Sequence, residues 1–406
     1  MKSYRALLAD ARFRRFWLAL LLVMMADEFV RTSLVWEVYR ATGSAAAVAL
    51  LQICLTGPIV VGGLVAGWLL DRYPRGRVMA GDAAVRSGVL VLAAGTLMLG
   101  VGGIVPLFVL ALVQGALTMV LLAGAPSAIA ELIPPEARSA ANALEMLGFS
   151  AASAAGPLAA GWLSGLLPMG GSLLLAACCY AAFALVVRSM PIGGGQRVAR
   201  GARVPWRDSG VLHPTVAIIT VMFLIVNIGG GVISVFLPVL VDQSLARGGE
   251  TYGVLLAVIG SGSSLGAIGA GMVTRTARLP AAVAVMQILM GVALVPLAVL
   301  VAAGQASILT VVVCLFVQGV VSGPLTVWAQ TVRMRFVAPE WRGRAFATLR
   351  MIMQSGRPVG GALGGVAVTA LPLSLCLFAA AAIIALPAAV ALCLPPINRR
   401  LRDKPA

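Results

Sequence analysis

The chain has 406 residues, is 60% hydrophobic and 11% charged, and has a mean hydropathy of +1.01. Soluble globular chains run about 25% charged, so this composition excludes an ordinary soluble domain and indicates a polytopic membrane protein. The net charge of +16 invites a nucleic-acid reading, but location argues against one. Most basic residues fall in every second connection between apolar segments, which the positive-inside rule explains with both termini in the cytoplasm and an even number of spans.

Apolar segments are expected at 16–39, 44–70, 78–100, 104–133, 140–167, 171–188, 214–241, 250–273, 280–302, 307–336, 344–369 and 372–394. Each is long enough to cross a bilayer. The stretch 189–213, rich in Gly and Arg, reads as a flexible cytoplasmic linker. The expected architecture is therefore all-α: twelve transmembrane helices as two pseudo-symmetric six-helix bundles, 1–188 and 214–406, joined by 189–213. The basic start resembles a signal peptide, but Asp27 and Glu28 interrupt the apolar run and no A-x-A site follows, so the first helix is expected to be retained.

In the first segment, Asp27, Glu28 and Arg31 lie roughly 16 Å or more from its start, near mid-depth of a hydrocarbon core about 30 Å thick. Ionisable groups there are costly and usually mark an ion or substrate path. Arg31 stands four residues after Asp27 and three after Glu28, so one helical face can hold all three. An ion pair that only orders the helix leaves the second carboxylate over.

The second segment closes on Gly67-Trp68-Leu69-Leu70-Asp71-Arg72-Tyr73-Pro74-Arg75-Gly76-Arg77. Gly67 is expected to permit close helix approach. Asp71, Arg72, Arg75 and Arg77, with Glu131 and Arg138, form a candidate cytoplasmic gating network. The halves also repeat at an offset of 204: Val113-Gln114-Gly115 matches Val317-Gln318-Gly319, Pro135-Glu136-Ala137-Arg138 matches Pro339-Glu340-Trp341-Arg342, and Gly67 and Asp71 map to Gly271 and Arg275. Parallel repeats of this kind place a binding site at midplane between them.

Gly67-x-x-x-Asp71-Arg72 followed by Gly76-Arg77 resembles the signature loop of the major facilitator superfamily. Together with Asp82, Arg86, the run from Glu131 through Ala141-Asn142-Ala143 to Gly156-Pro157, and Arg342-Gly343-Arg344-Ala345, the chain resembles the enterobactin-exporter-like branch of drug and metabolite exporters. Gly156, Pro157 and Gly161 resemble the fifth-helix motif of the superfamily's antiporters, and Ser153, Gly156 and Ala160 are expected to give a smooth face against the other half. One departure concerns proton coupling. The superfamily's proton-coupled drug exporters carry an arginine three residues before a Gln-Gly pair in the fourth helix, and here Ala111 holds that place before Gln114-Gly115.

Arg357, beside Pro358 near the middle of the eleventh segment, needs a carboxylate, a carbonyl or an anionic ligand nearby. Asp82, Glu131 and Glu145 lie toward the cytoplasmic face, so the expectation is one charge site divided between Asp27, Glu28 and Arg31 in the first half and Arg357 in the second. Gln114, Asn227 and Gln318 are cavity-lining candidates. The six cysteines fall in apolar segments and read as small buried hydrophobes without disulfides or metal. His213 beside Pro214 reads as a helix entry.

The functional expectation is a secondary transporter in the cell (inner) membrane, monomeric. It would export a small amphipathic or hydrophobic compound (drug, secondary metabolite or siderophore) by alternating access. Proton antiport supplies the energy, no cofactor is involved, and the partners are the small-molecule substrate and the lipid bilayer, not nucleic acid. A lipid or lysolipid transporter of the same fold is the alternative. An integral-membrane enzyme lacks support, since no HExxH or GxSxG stands in a suitable setting.

Overall fold

The structure, a computed structural model, describes residues 7–134, 137–192, 210–272, 279–337 and 342–394. Most of the expected linker, Pro135-Glu136, Pro339-Glu340-Trp341 and Arg275 lie outside the described residues. In chain order the helices are α1 (Ala11–Thr42), α2 (Ala45–Thr56), α3 (Ile59–Arg72), α4 (Arg75–Met98), α5 (Val105–Leu132), α6 (Arg138–Ser164), α7 (Met169–Arg188) and α8 (Pro214–Val239). A π-helical turn, Leu240–Ser244, extends α8. There follow α9 (Gly249–Gly271), α10 (Leu279–Val292), α11 (Val295–Ala302), α12 (Ile308–Phe336), α13 (Arg342–Gln354), α14 (Gly356–Ala370) and α15 (Leu373–Cys393).

Three expected segments are each split in two beside a proline, although Pro126, Pro157, Pro238, Pro324 and Pro387 lie inside helices that continue. A proline cannot donate to the carbonyl four residues back and its ring clashes with it. Pro296 would face Val292, where α10 ends, and Pro358 would face Gln354, where α13 ends. Pro358 thus interrupts the helix at Ser355, within the one unbroken segment expected over 344–369. Gly57-Pro58 stands between α2 and α3.

Among the described residues, ten helices are long and apolar enough to cross a membrane. Two of them are the split stretches Ala45–Arg72 and Leu279–Ala302, and another is Pro214–Ser244. α1 is longer than any single helix among them, but Asp27, Glu28 and Arg31 interrupt its apolar run. Mid-helix Leu64, Leu92, Leu185, Leu265 and Val366 are each exposed by half or more, as expected of side chains that face lipid tails.

The chain forms two compact units. One comprises Met1–Thr42, Cys54–Gly201 and Gly249–Ala257; the other comprises Gly43–Ile53, Ala202–Gly248 and Val258–Ala406. In the first, α4 lies along α7 and α1 along α6; in the second, α8 lies along α14, and α10 packs on α12 and α15. Glycine makes these approaches possible. A Cβ on Gly62 would strike the Ala116 carbonyl, and one on Gly115 the Leu55 carbonyl. Adding 204 to each number gives the corresponding contacts of the second unit, Gly266 on Val320 and Gly319 on Ile259. The internal repeat therefore holds at the level of individual backbone contacts.

The expectation for Gly67 is corrected. No atom lies within 4 Å of where its Cβ would stand, and its repeat equivalent Gly271 is equally open. It lies on an exposed helix face, and the close approach belongs to Gly62, five residues earlier. The cysteines also need revision: all six are free, but only Cys314 and Cys376 are buried, while Cys178 and Cys393 are exposed. His213 does cap α8, accepting from the Thr215 N–H at 3.3 Å and stacking on Phe336.

Candidate functional site: a buried charge network in the first unit

Four helices of the first unit converge on one guanidinium. α4 turns Met79, Ala83, Arg86 and Leu90 inward, and Arg86 is 1% exposed. Its Nη1 donates to Asp27 Oδ1 on α1 at 2.8 Å and to Gln114 Oε1 on α5 at 3.1 Å. Tyr180 on α7 donates its hydroxyl to the same Asp27 oxygen. That hydroxyl accepts from Gln114 Nε2 at 3.3 Å, and the Arg86 guanidinium lies 5.6 Å from the Tyr180 ring centre, a cation–π arrangement. The side chain of Asp27 keeps 23% of its surface accessible. The network therefore has a sealed centre at Arg86 and one edge open at Asp27.

Asp82, one helical turn before Arg86, brings a second carboxylate. Its Oδ2 stands 3.3 Å from Arg86 Nε, close enough for charge attraction but not aligned as a hydrogen bond. Asp82 Oδ1 and Arg86 Nη2 are buried without a hydrogen-bond partner.

The expected grouping of Asp27, Glu28 and Arg31 on one face is corrected. Adjacent residues on a helix point about 100° apart, and the two carboxylates take different cations. Arg31 pairs with Glu28 at 3.8 Å, whereas Asp27 takes Arg86 from 59 residues away. Asp27 and Glu28 are thus each paired within the first unit. The arginine missing at Ala111 has a counterpart in space, since the guanidinium beside Gln114 comes from α4. Ala111 itself is fully buried.

The motif of α6 bears on the same region. A Cβ on Gly156 would stand 2.7 Å from Glu28 Cβ and 2.8 Å from the Met25 carbonyl, so this glycine lets α6 close on α1 at the level of the charges. Of the expected smooth face, Gly156 meets α1, while Ala160 lines a cavity with Gly249 and Tyr252 of α9, in the second half of the sequence. Gly161 approaches Gly249 and Gly253, and the Pro157 carbonyl meets Gly253. Toward the Thr42 end of α1, a cavity of about 340 Å³ is lined by Thr32, Trp36, Glu37, Gly161, Ser172 and Tyr252, among others. Trp36 stacks on Tyr252 with ring centres 5.8 Å apart, and Glu37 pairs with Arg40 at 2.7 Å.

Of the expected cytoplasmic network, Arg75 and Glu131 form an ion pair that ties the start of α4 to the end of α5. Arg138 Nε donates to the Ile133 carbonyl at 3.2 Å, and Arg72 lies over the Trp68 ring. Asp71, Arg72 and Arg77 are exposed. In the second unit, Arg357 is the second residue of α14, partly buried, and its backbone carbonyl lies against Gly231. Gln318 is buried, and Asn227 donates to the Phe223 carbonyl of its own helix at 2.9 Å. Among the described residues no group of three or more His, Cys, Asp and Glu side chains could hold a metal ion.

Sequence reasoning names Asp27 and Gln114 but misses the roles of Arg86, Asp82 and Tyr180. Asp82-x-x-x-Arg86 inside an apolar helix was an available signal, being an i,i+4 ion pair in an expensive place. Nothing in the local sequence marks Tyr180.

The sequence profile of the Major Facilitator Superfamily matches residues 16–303. A curated relative, the uncharacterized MFS-type transporter y4rN of Sinorhizobium fredii, is 29% identical over 257 residues, 61% of this chain and 62% of that protein. The chain thus matches less than two thirds of that relative's length. Among solved structures, a bacterial homolog of the human lysosomal transporter Spinster is similar at a TM-score of 0.71 and 16% identity, covering 96% of this chain and 98% of that one. A D-xylose-proton symporter is similar at 0.72 and 14%, covering 93% and 97%. A POT family transporter in complex with a thioalcohol-conjugated peptide is similar at 0.74 and 11%, covering 94% and 96%. At these identities the structures speak for the fold, and with the profile match over most of the sequence they place it: the chain belongs to the Major Facilitator Superfamily.

Proposed function

We propose that the protein is a secondary transporter, not an enzyme, that exports a small amphipathic or hydrophobic compound from the cell by proton antiport. Twelve spans in two six-helix bundles, with both termini in the cytoplasm, form the frame, and alternating access rocks one bundle against the other. Family membership supports transport, and the alternation of basic connections supports the orientation. The resemblance of Gly156, Pro157 and Gly161 to the antiporter motif supports export.

The observation that carries the coupling is the bond from the buried Arg86 to Asp27, the member of its network with an accessible edge. An ionised carboxylate inside a span is tolerated because a cation neutralises it. A proton arriving at the open edge of Asp27 cancels that attraction and leaves the Arg86 charge to be re-paired. Protonation thereby changes the bonding among α1, α4, α5 and α7 together, which is what a proton must do to bias a conformational equilibrium. Glu28 and Arg31 supply accessible charge on the neighbouring face of α1.

The test is uptake of ethidium, acriflavine and tetraphenylphosphonium into everted membrane vesicles energised inside-acid. The wild type should accumulate at least one of these cations until a protonophore is added, and Asp27→Asn should accumulate none. Uptake by Asp27→Asn that still follows the proton gradient would remove Asp27 from the mechanism.

A further inference from the structure

Arg86 carries one positive charge and has two carboxylates at hand, Asp27 at 2.8 Å and Asp82 at 3.3 Å. With both ionised, a nearly sealed site would hold a net negative charge, at a cost that a low-dielectric interior makes large. One shared proton brings the triad to neutrality, and carboxylates so coupled titrate as a unit. The geometry shows which of the two is engaged. Asp27 receives a well-formed hydrogen bond from Nη1. Asp82 makes no aligned bond to Nε, while its Oδ1 and Arg86 Nη2 stand buried without partners. An ionised carboxylate left in that condition would be poorly compensated, whereas a neutral carboxyl would not.

We infer that Asp82 is a second proton-holding carboxylate of this site, and that Arg86 exchanges between Asp27 and Asp82 as the proton moves. In the arrangement seen, Asp27 is ionised against Arg86 and Asp82 is a carboxylic acid. When Asp27 gains a proton from water at its accessible edge, an O–H bond forms there and Arg86 is freed. Its unpartnered Nη2 and its Nε turn to Asp82, whose O–H bond breaks. That proton passes to water toward the Arg75 end of α4, where Asp82 lies one turn closer than Arg86 does. The triad is neutral before and after the exchange and carries one extra positive charge only between the two transfers; a proton has entered at one carboxylate and left from the other. Gln114 and Tyr180 hold the Asp27 side of the site through both arrangements without changing charge. The two other charged pairs on α1, Glu28 with Arg31 and Glu37 with Arg40, bond separately. The inference rests on Asp27 as the transport carboxylate and adds the group that hands the proton on.

Infrared difference spectroscopy of the full chain in lipid bilayers, without any transported compound, reads protonated carboxyl groups directly. The wild type at neutral pH should show a buried carboxylic acid signal. Asp82→Asn should lose it completely. Asp27→Asn should lose it too, because Arg86 then pairs with an ionised Asp82. Glu37→Gln, in the separate pair with Arg40, should keep it. Asp82→Glu, monodisperse on gel filtration, should restore a shifted signal and so separate the carboxyl's role from misfolding of Asp82→Asn. A signal that persists in Asp82→Asn, or that stays at full strength in Asp27→Asn, would overturn the exchange. The two readings fail separately. An unchanged signal in Asp82→Asn overturns the exchange even where dye uptake follows the gradient, and uptake indifferent to the gradient overturns the transport reading even where the signal is lost.

Discussion

The two halves share a backbone design and differ in what they bury at its centre. The contacts Gly62 on Ala116 and Gly115 on Leu55 recur as Gly266 on Val320 and Gly319 on Ile259, so close-packed span pairs are built alike. Of the five residues of the Arg86 network, however, only Gln114 has a like counterpart, the buried Gln318. Asp27, Asp82, Arg86 and Tyr180 map to Gly231, Met286, Met290 and Ile384. Met290 takes the guanidinium's position, and Gln287, three residues before it and fully buried, donates to the Ile384 carbonyl at 2.9 Å. Where the first half has Asp27 reaching α4, the second has Gly231 against the backbone of α14 at Arg357. Packing follows the repeat, while among the described residues the buried carboxylate–guanidinium network belongs to one copy of it; the other buries Arg333, which donates to the Ala329 carbonyl and lies over the Phe223 ring.

The sharpest way to break this comparison is to make the first half resemble the second. Arg86→Met leaves Asp27 and Asp82 without their cation, and removing one partner of a buried pair costs about 3 kcal/mol or more. Thermal unfolding in detergent should show a large fall in midpoint, and Asp27→Gly/Asp82→Met/Arg86→Met should recover much of it while remaining inactive in vesicle uptake. No recovery would mean the charges are needed to form the fold itself.

A smaller effect tests the shared packing. Gly62→Leu and Gly266→Leu each drive a side chain into a facing carbonyl, and overpacking of this kind costs about 1–3 kcal/mol. The two should fall by similar amounts; a harmless Gly266→Leu would show that the repeat is not energetically equal in its halves. Next, Gln114→Leu should cost about 1 kcal/mol by stripping partners from Arg86 and Tyr180, and should weaken uptake more than Gln318→Leu does. The smallest effect belongs to Gly67→Ala and Gly271→Ala. Both sites have open space, so each should leave stability within about 0.5 kcal/mol.

How much of this was legible in the sequence follows from the range of each interaction. The helix ends at Val292 and Gln354 stand four residues before Pro296 and Pro358, a local signal present in segments 280–302 and 344–369, which were expected to be unbroken. The repeat could be read because Val-Gln-Gly recurs at fixed register. The pairing of Asp27 could not. Spacing along one helix offers Arg31, four residues on, and says nothing of an arginine on another helix whose face happens to meet it. Gly67 was misjudged for a related reason. A small residue permits close approach, but only the rotation of the helix decides whether Gly62 or Gly67 receives the neighbour. Both misreadings concern which way a face turns, and a span surrounded by apolar residues on every side gives little hydrophobic asymmetry from which to read it.

The most direct measurement of the central claim is proton release from the purified protein in weakly buffered detergent when one of the three dye cations is added. The account expects proton release by the wild type, release comparable to it from Glu37→Gln, and none from Asp27→Asn or Arg86→Met. Release from Asp27→Asn equal to that of the wild type would contradict the assignment of proton coupling to the charge network of the first half.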